Sequence, residues 1–282
     1  MSVTTAPPVA AEKEPRAPAP GGEPPRRRWR WSPNQLRRWI SPIALVAIWQ
    51  IASGTGVLPP DKLAAPDVIV RSAWDLAVSG ELGEHLVTSL SRVAIGLVIG
   101  VTIGLAAALL SGLSGWGNDL VDPPLQMLRT LPHLGLVPLF ILWFGIGETP
   151  KIALIALGVV FPIYLNVHGA IRGVDPKLLE ATSVLGFTRA QRIRHVVLPS
   201  ALPNALIGLR QGLGIAWLSL IIGEQVNTES GIGFMINNAR EFLRTDIIVV
   251  GLLIYAALGL ITDALVRLLE RRALRWRLNA LR

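Results

Sequence analysis

Three stretches of this chain are long enough to cross a lipid bilayer as helices and contain no charged side chain. Residues 40–60, 93–118 and 152–171 lack Asp, Glu, Lys and Arg altogether, and a bilayer-crossing helix needs roughly 20 apolar residues. Three less regular apolar runs accompany them: 130–147, 202–223 (interrupted by Arg210) and 247–262. The sequence therefore predicts an all-α polytopic membrane protein with about six transmembrane helices.

The net charge of +8 is distributed unevenly along the chain. Most of the basic residues lie in the first 40 residues, in segment 172–194 and in the C-terminal tail. Six spans put these three clusters on one side of the membrane, and basic loops favour the cytoplasmic side. We therefore expect both termini and segment 172–194 to be cytoplasmic. Nucleic-acid binding is disfavoured, because the charges flank spans instead of forming one patch interleaved with aromatic residues.

The two ends of the chain differ in composition from its middle. We expect residues 1–38 to form a disordered basic cytoplasmic tail, 39–270 the transmembrane domain, and 271–282 a second basic tail. The Arg and Trp residues at 26–31 suit either an anionic inner leaflet or a simple topological stop. The chain contains no cysteine, which excludes disulfide and thiolate chemistry, and no cleavable signal peptide is recognisable.

Two further patterns predict how the helices pack. In segment 67–80, Ile69, Ala73 and Leu76 share one helical face while Arg71 and Asp75 are spaced for an ion pair, so we expect a helix along the outer surface. Small residues recur every fourth position in the second span, at Gly96, Gly100, Gly104, Ala108 and Gly112. Such a stripe allows a second helix to approach closely, whether that helix belongs to the same chain or to a second copy.

Segment 172–203 is a polar, basic island between the fourth and fifth spans, and we refer to it as the foot. Asp175 is placed to cap a helix that begins at Pro176, and Gly186 suits a left-handed helix end. Thr188 and Gln191 have the spacing of a capping box for a second short helix. The foot is therefore predicted to be an ordered helix–glycine–helix element in the cytoplasm.

The foot resembles the EAA loop of permease subunits of ABC importers, in which Glu-Ala-Ala is followed by a glycine and then by Ile-x-Leu-Pro. Glu180, Ala181, Gly186, Leu198 and Pro199 match in place, while Thr182 and Val196 replace an Ala and an Ile. Segments 126–129, 132–134, 141–146 and 238–242 also resemble permeases of the nitrate/sulfonate/taurine branch, and the likeness covers about residues 38–278. The resemblance implies the type I ABC importer permease fold, with Glu180, Ala181, Leu185, Gly186, Leu198 and Pro199 coupling the chain to an ATPase.

The resemblance also implies an assembly in the bacterial cytoplasmic (inner) membrane. The expected partners are a second permease copy in a homodimer, two cytoplasmic ABC ATPase subunits, an extracytoplasmic substrate-binding protein and the lipid bilayer. None of the four lysines follows a glycine, so the GxxxxGK[ST] phosphate cradle is missing. ATP and Mg would be bound by the partner ATPase; this chain is not expected to be an enzyme or to bind a cofactor. The four histidines lack metal-ligand spacing, so no metal is expected.

Charged side chains inside spans are candidates for a substrate path. The charged or titratable candidates are Arg129, His133, Arg210 and Glu224, and Trp143 and Trp217 are candidates for lining a gate on the same path. Arginine and histidine would supply hydrogen-bond donors to a small anion. Four of them have an alternative interpretation: Arg210 pairs with a carboxylate or extends to the inner face, Glu224 is solvated at the outer end of its helix, and the two tryptophans are interfacial or lipid-facing anchors.

The substrate implied by the resemblance is an aliphatic sulfonate, with taurine, nitrate or a related small anion as alternatives. A different class of protein is also open, namely an ATP-independent secondary transporter or channel. That class predicts coupling carboxylates or discontinuous helices in matching halves, and the sequence contains no obvious internal repeat. A polytopic membrane enzyme is the third possibility, but we find no catalytic constellation such as G-x-S-x-G.

Overall fold

A computed structural model describes residues 33–226 and 228–275, with side chains from residue 40 onward. This part of the chain is helical and contains no strand. The α-helices are α1 Pro33–Gly54, α2 Pro66–Val78, α3 Glu81–Leu113, α4 Gly115–Leu128, α5 Val137–Phe144, α6 Glu148–Arg172, α7 Pro176–Val184, α8 Arg189–Arg192, α9 Leu198–Glu224, α10 Ile232–Glu241 and α11 Thr245–Ala273. Residues 1–32 of the predicted disordered tail and 276–282 of the second basic tail lie outside the described residues, so both tails stay predictions there. Residues 33–38, which were expected to belong to the disordered tail, form the start of α1 instead.

The all-α class is confirmed, but the six predicted spans differ in form. Helices α3, α6, α9 and α11 are each long and apolar enough to cross a membrane. The predicted third span is broken, because α4 and the segment His133–Phe144 meet at an angle of 83°. Pro132 lies at this break and has no backbone N–H to continue a helix. The apolar part of α1, Ile40–Gly54, is shorter than the other spans.

Helix α6 lies at the centre of the unit formed by residues 46–275, between α3 and α9. The small-residue stripe of α3 faces α6. A Cβ atom on Gly100 would lie 2.5 Å from the carbonyl oxygen of Ala156, and one on Gly104 would lie 2.8 Å from that of Val160. The sequence does not identify the helix that packs against this stripe; the structure shows that it is α6 of the same chain. The stripe is therefore covered within the subunit.

Helix α9 packs against the other side of α6 in the same close manner, and the two run antiparallel. A Cβ atom on Gly208 would lie 2.8 Å from the carbonyl oxygen of Pro162, and Gly212 approaches Val159. The residues of α6 between these two glycine-lined faces are almost inaccessible, with Val159 at 0% exposure. Because α6 is held on both sides by backbone-close contacts, α3, α6 and α9 form the rigid core of the subunit.

Helices α2 and α10 lie at the end of the spans opposite the foot and pack against the start of α11. The predicted pair of Arg71 with Asp75 is wrong: Arg71 lies 3.7 Å from Asp67, on the preceding turn. Asp67 is held in place because Gln50 Nε2 donates a hydrogen bond to its Oδ1 at 2.9 Å. This hydrogen bond and the charge of Arg71 lower the pKa of Asp67.

Candidate functional site

The first helix of the foot begins as the sequence predicts. Asp175 caps α7, because its Oδ1 accepts a hydrogen bond from the backbone N–H of Lys177 at 2.9 Å. Pro176 occupies the first helical position, where its fixed φ suits a helix and its missing N–H costs nothing. The start of α7 is thus fixed by two adjacent residues, independently of any contact with the rest of the chain.

Helix α7 ends at Gly186, which has φ +79°. The backbone N–H of Phe187 donates to the carbonyl oxygen of Thr182, and that of Gly186 donates to Ser183, both at 3.0 Å. These two bonds are those of a Schellman end, which favours glycine at the left-handed position. The space around a Gly186 Cβ is open, so the glycine is required for its backbone conformation and not for room. The predicted left-handed end is confirmed.

The second part of the foot is joined to the fifth span without a loop. Thr188 and Gln191 form the predicted capping box at the start of α8. A π-helical turn, Ile193–Val197, then continues directly into α9, so that residues 189–224 form one helical stretch. Arg189 Nη2 also donates to the carbonyl oxygen of Leu113, at the end of α3, at 3.0 Å. The foot is therefore tied mechanically to both α9 and α3.

The tip of the foot carries exposed apolar side chains. Val184 is 88% exposed and Leu185 74% exposed, whereas Thr182 faces inward and is buried. Of the other predicted coupling residues, Glu180, Ala181 and Leu198 are exposed and Pro199 is half-buried. An apolar tip on a polar, well-capped element is typical of a protein-docking surface, so the geometry suits the contact of a partner in this region.

Arg210, a candidate for the substrate path, is engaged within the chain. Its guanidinium lies 3.3 Å from a carboxylate oxygen of Asp263 and 2.6 Å from one of Glu270. Arg267 also pairs with Asp263, at 2.6 Å. Two cations thus balance two carboxylates between α9 and α11. The alternative interpretation of Arg210, pairing with a carboxylate, is the one that the geometry supports.

Glu224 is buried and not solvated, which corrects the alternative interpretation drawn from its place near a helix end. It is 1% exposed. Its Oε1 accepts from Arg92 Nη1 at 2.6 Å, and its Oε2 accepts from the Gly233 N–H at 2.8 Å and from Tyr255 Oη at 3.0 Å. A carboxylate so fully bonded has little capacity left for a substrate. Glu224 therefore belongs to a structural cluster.

The sequence marks Arg92 as a charge near the end of a span but does not predict that it joins Glu224, Glu148 and Lys151 in one cluster. Arg92 is 2% exposed, and its Nε and Nη2 atoms donate to Glu148 at 2.5 and 2.7 Å. Lys151 lies 3.1 Å from Glu148 as well. The available signal was that Arg92 stands just before one uncharged run, 93–118, and Glu148 just after another, 130–147. Nothing in the local sequence indicates that the two side chains meet. Two cations and two carboxylates balance, so this cluster offers no uncompensated charge to an anion.

Arg129 and His133 flank the break between α4 and α5. Arg129 is exposed at the end of α4 and, among residues 40–226 and 228–275, forms no ion pair. His133 is half-buried, with its Nε2 3.2 Å from Ser219 Oγ on α9. Broken helices in membranes occur where the chain lines a cavity or is covered by protein. Of the charged or titratable path candidates, these two form no ion pair with a described residue, whereas Arg210 and Glu224 do.

The two candidate tryptophans occupy different environments. Trp143 is 62% exposed on α5, which suits either a path or a lipid-facing anchor. Trp217 is 7% exposed, and its Nε1 donates to Thr262 Oγ1 on α11 at 3.2 Å. Because Trp217 faces the interior of the subunit, its position does not support a pathway-lining role.

Comparisons with known proteins agree with this architecture. Residues 100–275 match the family model described as "Binding-protein-dependent transport system inner membrane component". The chain is 47% identical to a Bacillus subtilis (strain 168) protein named as an aliphatic sulfonates transport permease, SsuC, over 90% of this chain and 91% of the relative. The Escherichia coli (strain K12) protein of the same name is 48% identical, covering 84% and 90%. The taurine transport system permease protein TauC of E. coli (strain K12) is 33% identical, covering 89% and 94%.

Two solved structures share the fold. A chain of an amino acid ABC transporter superposes with a TM-score of 0.57 and 23% identity, covering 67% of this chain and 92% of that one. A chain of the MetNI methionine ABC transporter superposes with a TM-score of 0.50 and 20% identity, covering 64% and 91%. The family match begins within α3 and includes α6, the foot and α9. Together with the relatives at 47%, 48% and 33% identity, it shows that the chain belongs to the binding-protein-dependent transport system inner membrane component family.

Proposed function

We propose that this chain is the permease subunit of an ATP-driven importer of aliphatic sulfonates. The observation that carries the proposal is the foot: a capped helix with an exposed apolar tip, joined through the turn at Gly186 to a helical stretch, 189–224, that runs into a membrane-spanning helix. A secondary transporter or channel has no need of such an element. The names of the two relatives that share 47% and 48% identity favour sulfonates, and the taurine permease at 33% keeps a related sulfonate as the nearest alternative.

In the proposed assembly, the foot docks on a cytoplasmic ATPase that binds ATP and Mg. Leu185 and Val184 would enter a groove of that partner, and closure of two ATPase subunits would move the foot as a rigid body. The movement would reach α9 through the continuous stretch 189–224 and α3 through Arg189. Since α6 is packed between α3 and α9, a movement of these two helices would move all three helices of the core. Two permease copies, with both termini cytoplasmic, and an extracytoplasmic binding protein complete the assembly.

We propose that Arg129 and His133 donate hydrogen bonds to the anion as it crosses the membrane. A sulfonate carries three oxygen acceptors and one negative charge, which a guanidinium group can bind through paired hydrogen bonds. Arg210, Arg92 and Lys151 are balanced by carboxylates within the subunit, whereas Arg129 stands at the break of a span. Selection among sulfonates would then rest largely with the binding protein.

Reconstitution tests the proposal directly. The chain is placed in liposomes with its ATPase and binding protein, and uptake of an alkanesulfonate is followed with and without ATP. We expect uptake only when the ATPase, the binding protein and ATP are all present. Parallel vesicles that receive taurine or nitrate identify the preferred anion. Uptake driven by an ion gradient in vesicles without the ATPase would contradict the importer mechanism.

A matched pair of substitutions tests the docking role of the foot. Leu185 and Leu243 are both leucines and both 74% exposed, but they lie at opposite ends of the spans. Leu185→Glu should abolish co-purification of the ATPase, because it places a charge in the docking surface. Leu243→Glu should leave co-purification unchanged. Equal retention of the ATPase by both variants would remove Leu185 from the proposed interface.

A further inference from the structure

Helix α2 lies at the level where the spans end. Ser72 Oγ, in the middle of α2, donates to Asp246 Oδ2 at 2.6 Å, and Asp246 is the second residue of α11. Asp67 bonds to Gln50, which lies one turn before the end of α1. These two contacts hold α2 within about one helical turn, roughly 5 Å, of the ends of two apolar helices. This is the depth of the lipid headgroups.

The surface of α2 is divided into three stripes. Successive residues are about 100° apart around a helix, so positions four apart form stripes and neighbouring positions begin different ones. Ile69, Ser72 and Leu76 are buried against the subunit. Arg71, Asp75 and Ser79 form a polar, exposed stripe. Val70, Trp74 and Val78 form the third stripe, which is apolar and 68%, 70% and 70% exposed.

We propose that α2 rests in the bilayer surface and inserts Val70, Trp74 and Val78 among the lipids of the leaflet at its end of the spans. The apolar stripe is exposed, but at headgroup depth its surroundings are acyl chains and not water. Trp74 stands at the centre of the stripe, and tryptophan favours this interfacial region. The polar stripe is rotated by about 100° around the axis of α2 from the apolar stripe, so it would face water. This partition is that of an interfacial amphipathic helix.

The two hydrogen bonds of α2 have a consequence for the ends of α1 and α11. Helix α2 is hydrogen-bonded to Asp246 of α11 and to Gln50 of α1. Lipids that hold α2 in place would therefore also restrain the distance between Asp246 and Gln50 at the membrane surface. The inference requires only that the spans cross a bilayer. It holds for either topology and is independent of the transported anion; with the foot in the cytoplasm, the leaflet is the outer one.

Site-directed spin labelling tests the inference, and the absence of native cysteine makes each label unique. Single variants Val70→Cys, Trp74→Cys, Val78→Cys, Arg71→Cys and Asp75→Cys are labelled in the full chain and placed in nanodiscs. Collision rates with oxygen, which concentrates in lipid, and with a water-soluble nickel chelate are measured at each position. Val98→Cys, in the middle of α3 and 64% exposed, provides the lipid standard, and Asp61→Cys, in the exposed loop before α2, the water standard.

We expect the ratio of oxygen to nickel collisions to be at least threefold higher at positions 70, 74 and 78 than at 71 and 75. A ratio at position 74 equal to that of the Asp61 standard would overturn the proposal, because the stripe would then face water. Low collision rates with both reagents at 70, 74 and 78 would overturn it too, since a protein partner would cover the stripe. If Trp74→Cys does not fold, Ala77→Cys reports on the same flank.

Discussion

Arg92 and Glu224 form a buried ion pair, 132 residues apart in the chain, with Nη1 and Oε1 separated by 2.6 Å. Arg92 also bonds to Glu148, at the start of α6, and to the carbonyl oxygen of Ser230, before α10. One guanidinium group thus joins α3, α6 and α9 to the segment that leads into α10. This guanidinium group holds the end of the core that lies opposite the foot.

Replacing Arg92 should destabilise the chain strongly. Arg92→Met leaves Glu224 buried without its cation, and loss of one partner of a buried pair costs about 3–5 kcal/mol. Arg71→Ala is the control, because its ion pair is exposed and 3.7 Å long, and such pairs contribute about 0–1 kcal/mol. The measurement is the thermal unfolding midpoint of the purified chain in detergent. Similar midpoints for the two variants would show that the Arg92 cluster adds no stability.

Gly100→Ala should separate α3 from α6. The added Cβ would lie 2.5 Å from a backbone oxygen and 2.7 Å from the Val159 side chain, and neither can move without shifting a helix. Gly169→Ala, on α6 itself, has open space around the new Cβ and gains roughly 0.5–1 kcal/mol from better helix propensity. We expect Gly100→Ala to lower the unfolding midpoint and Gly169→Ala to preserve or raise it. The reverse order would contradict the packing described for α3.

Arg129 and Arg210 should respond differently to neutralisation. Arg129→Gln removes a charge that forms no ion pair within the described part of the chain, so stability should be kept while the rate of anion uptake falls about tenfold or more. Arg210→Gln removes the cation between Asp263 and Glu270, so we expect its main effect to be a lower unfolding midpoint, with little change in uptake per folded molecule. Uptake per folded molecule, measured in proteoliposomes beside the unfolding midpoint, separates the two effects. An unchanged uptake rate for Arg129→Gln would exclude it from the path.

The features that the sequence predicts well are those set by neighbouring residues. The cap at Asp175, the box of Thr188 and Gln191 and the left-handed end at Gly186 each depend on groups within about five residues. Local backbone chemistry decides them, so they can be read without knowledge of the tertiary fold. The same holds for the four long spans α3, α6, α9 and α11, whose length and apolar character follow from the thickness of the bilayer; the break at Pro132 and the short apolar part of α1 depart from the six regular spans predicted.

The features that sequence reasoning missed depend on distant partners. The stripe that includes Gly100 predicted close packing, but only the fold shows that α6 is the helix that fills it. The sequence allows Glu224 either a place on the substrate path or solvation at its helix end; in the structure it is buried and accepts hydrogen bonds from three side chains of distant segments. Nothing in the sequence around Trp217 indicates whether it faces lipid or protein; its burial depends on contact with Thr262 of α11. In each case the partner is set by helix packing, which one-dimensional patterns do not encode.

The turn at Gly186 offers the sharpest test of the foot. Gly186 has φ +79° with open space around it, so Gly186→Val meets no steric obstacle outside its own backbone, yet the left-handed conformation costs roughly 1–2 kcal/mol for an L residue. That cost should turn the tip of α7 away from the ATPase. We expect Gly186→Val to insert into membranes normally and to lose ATP-driven uptake. Gly186→Asn should keep most of it, since asparagine tolerates this conformation.

Gly115→Val is the matched control for that change, because Gly115 also has open space around its Cβ but lacks a positive φ. It lies at the start of α4, outside the foot, and should retain uptake. Membrane insertion, ATPase co-purification and ATP-driven uptake are compared for the three variants. Normal uptake by Gly186→Val would show that the left-handed turn is dispensable. Loss of uptake in Gly186→Val and Gly186→Asn alike would instead assign the requirement to the absence of a side chain, and so to a docking surface that includes residue 186 itself.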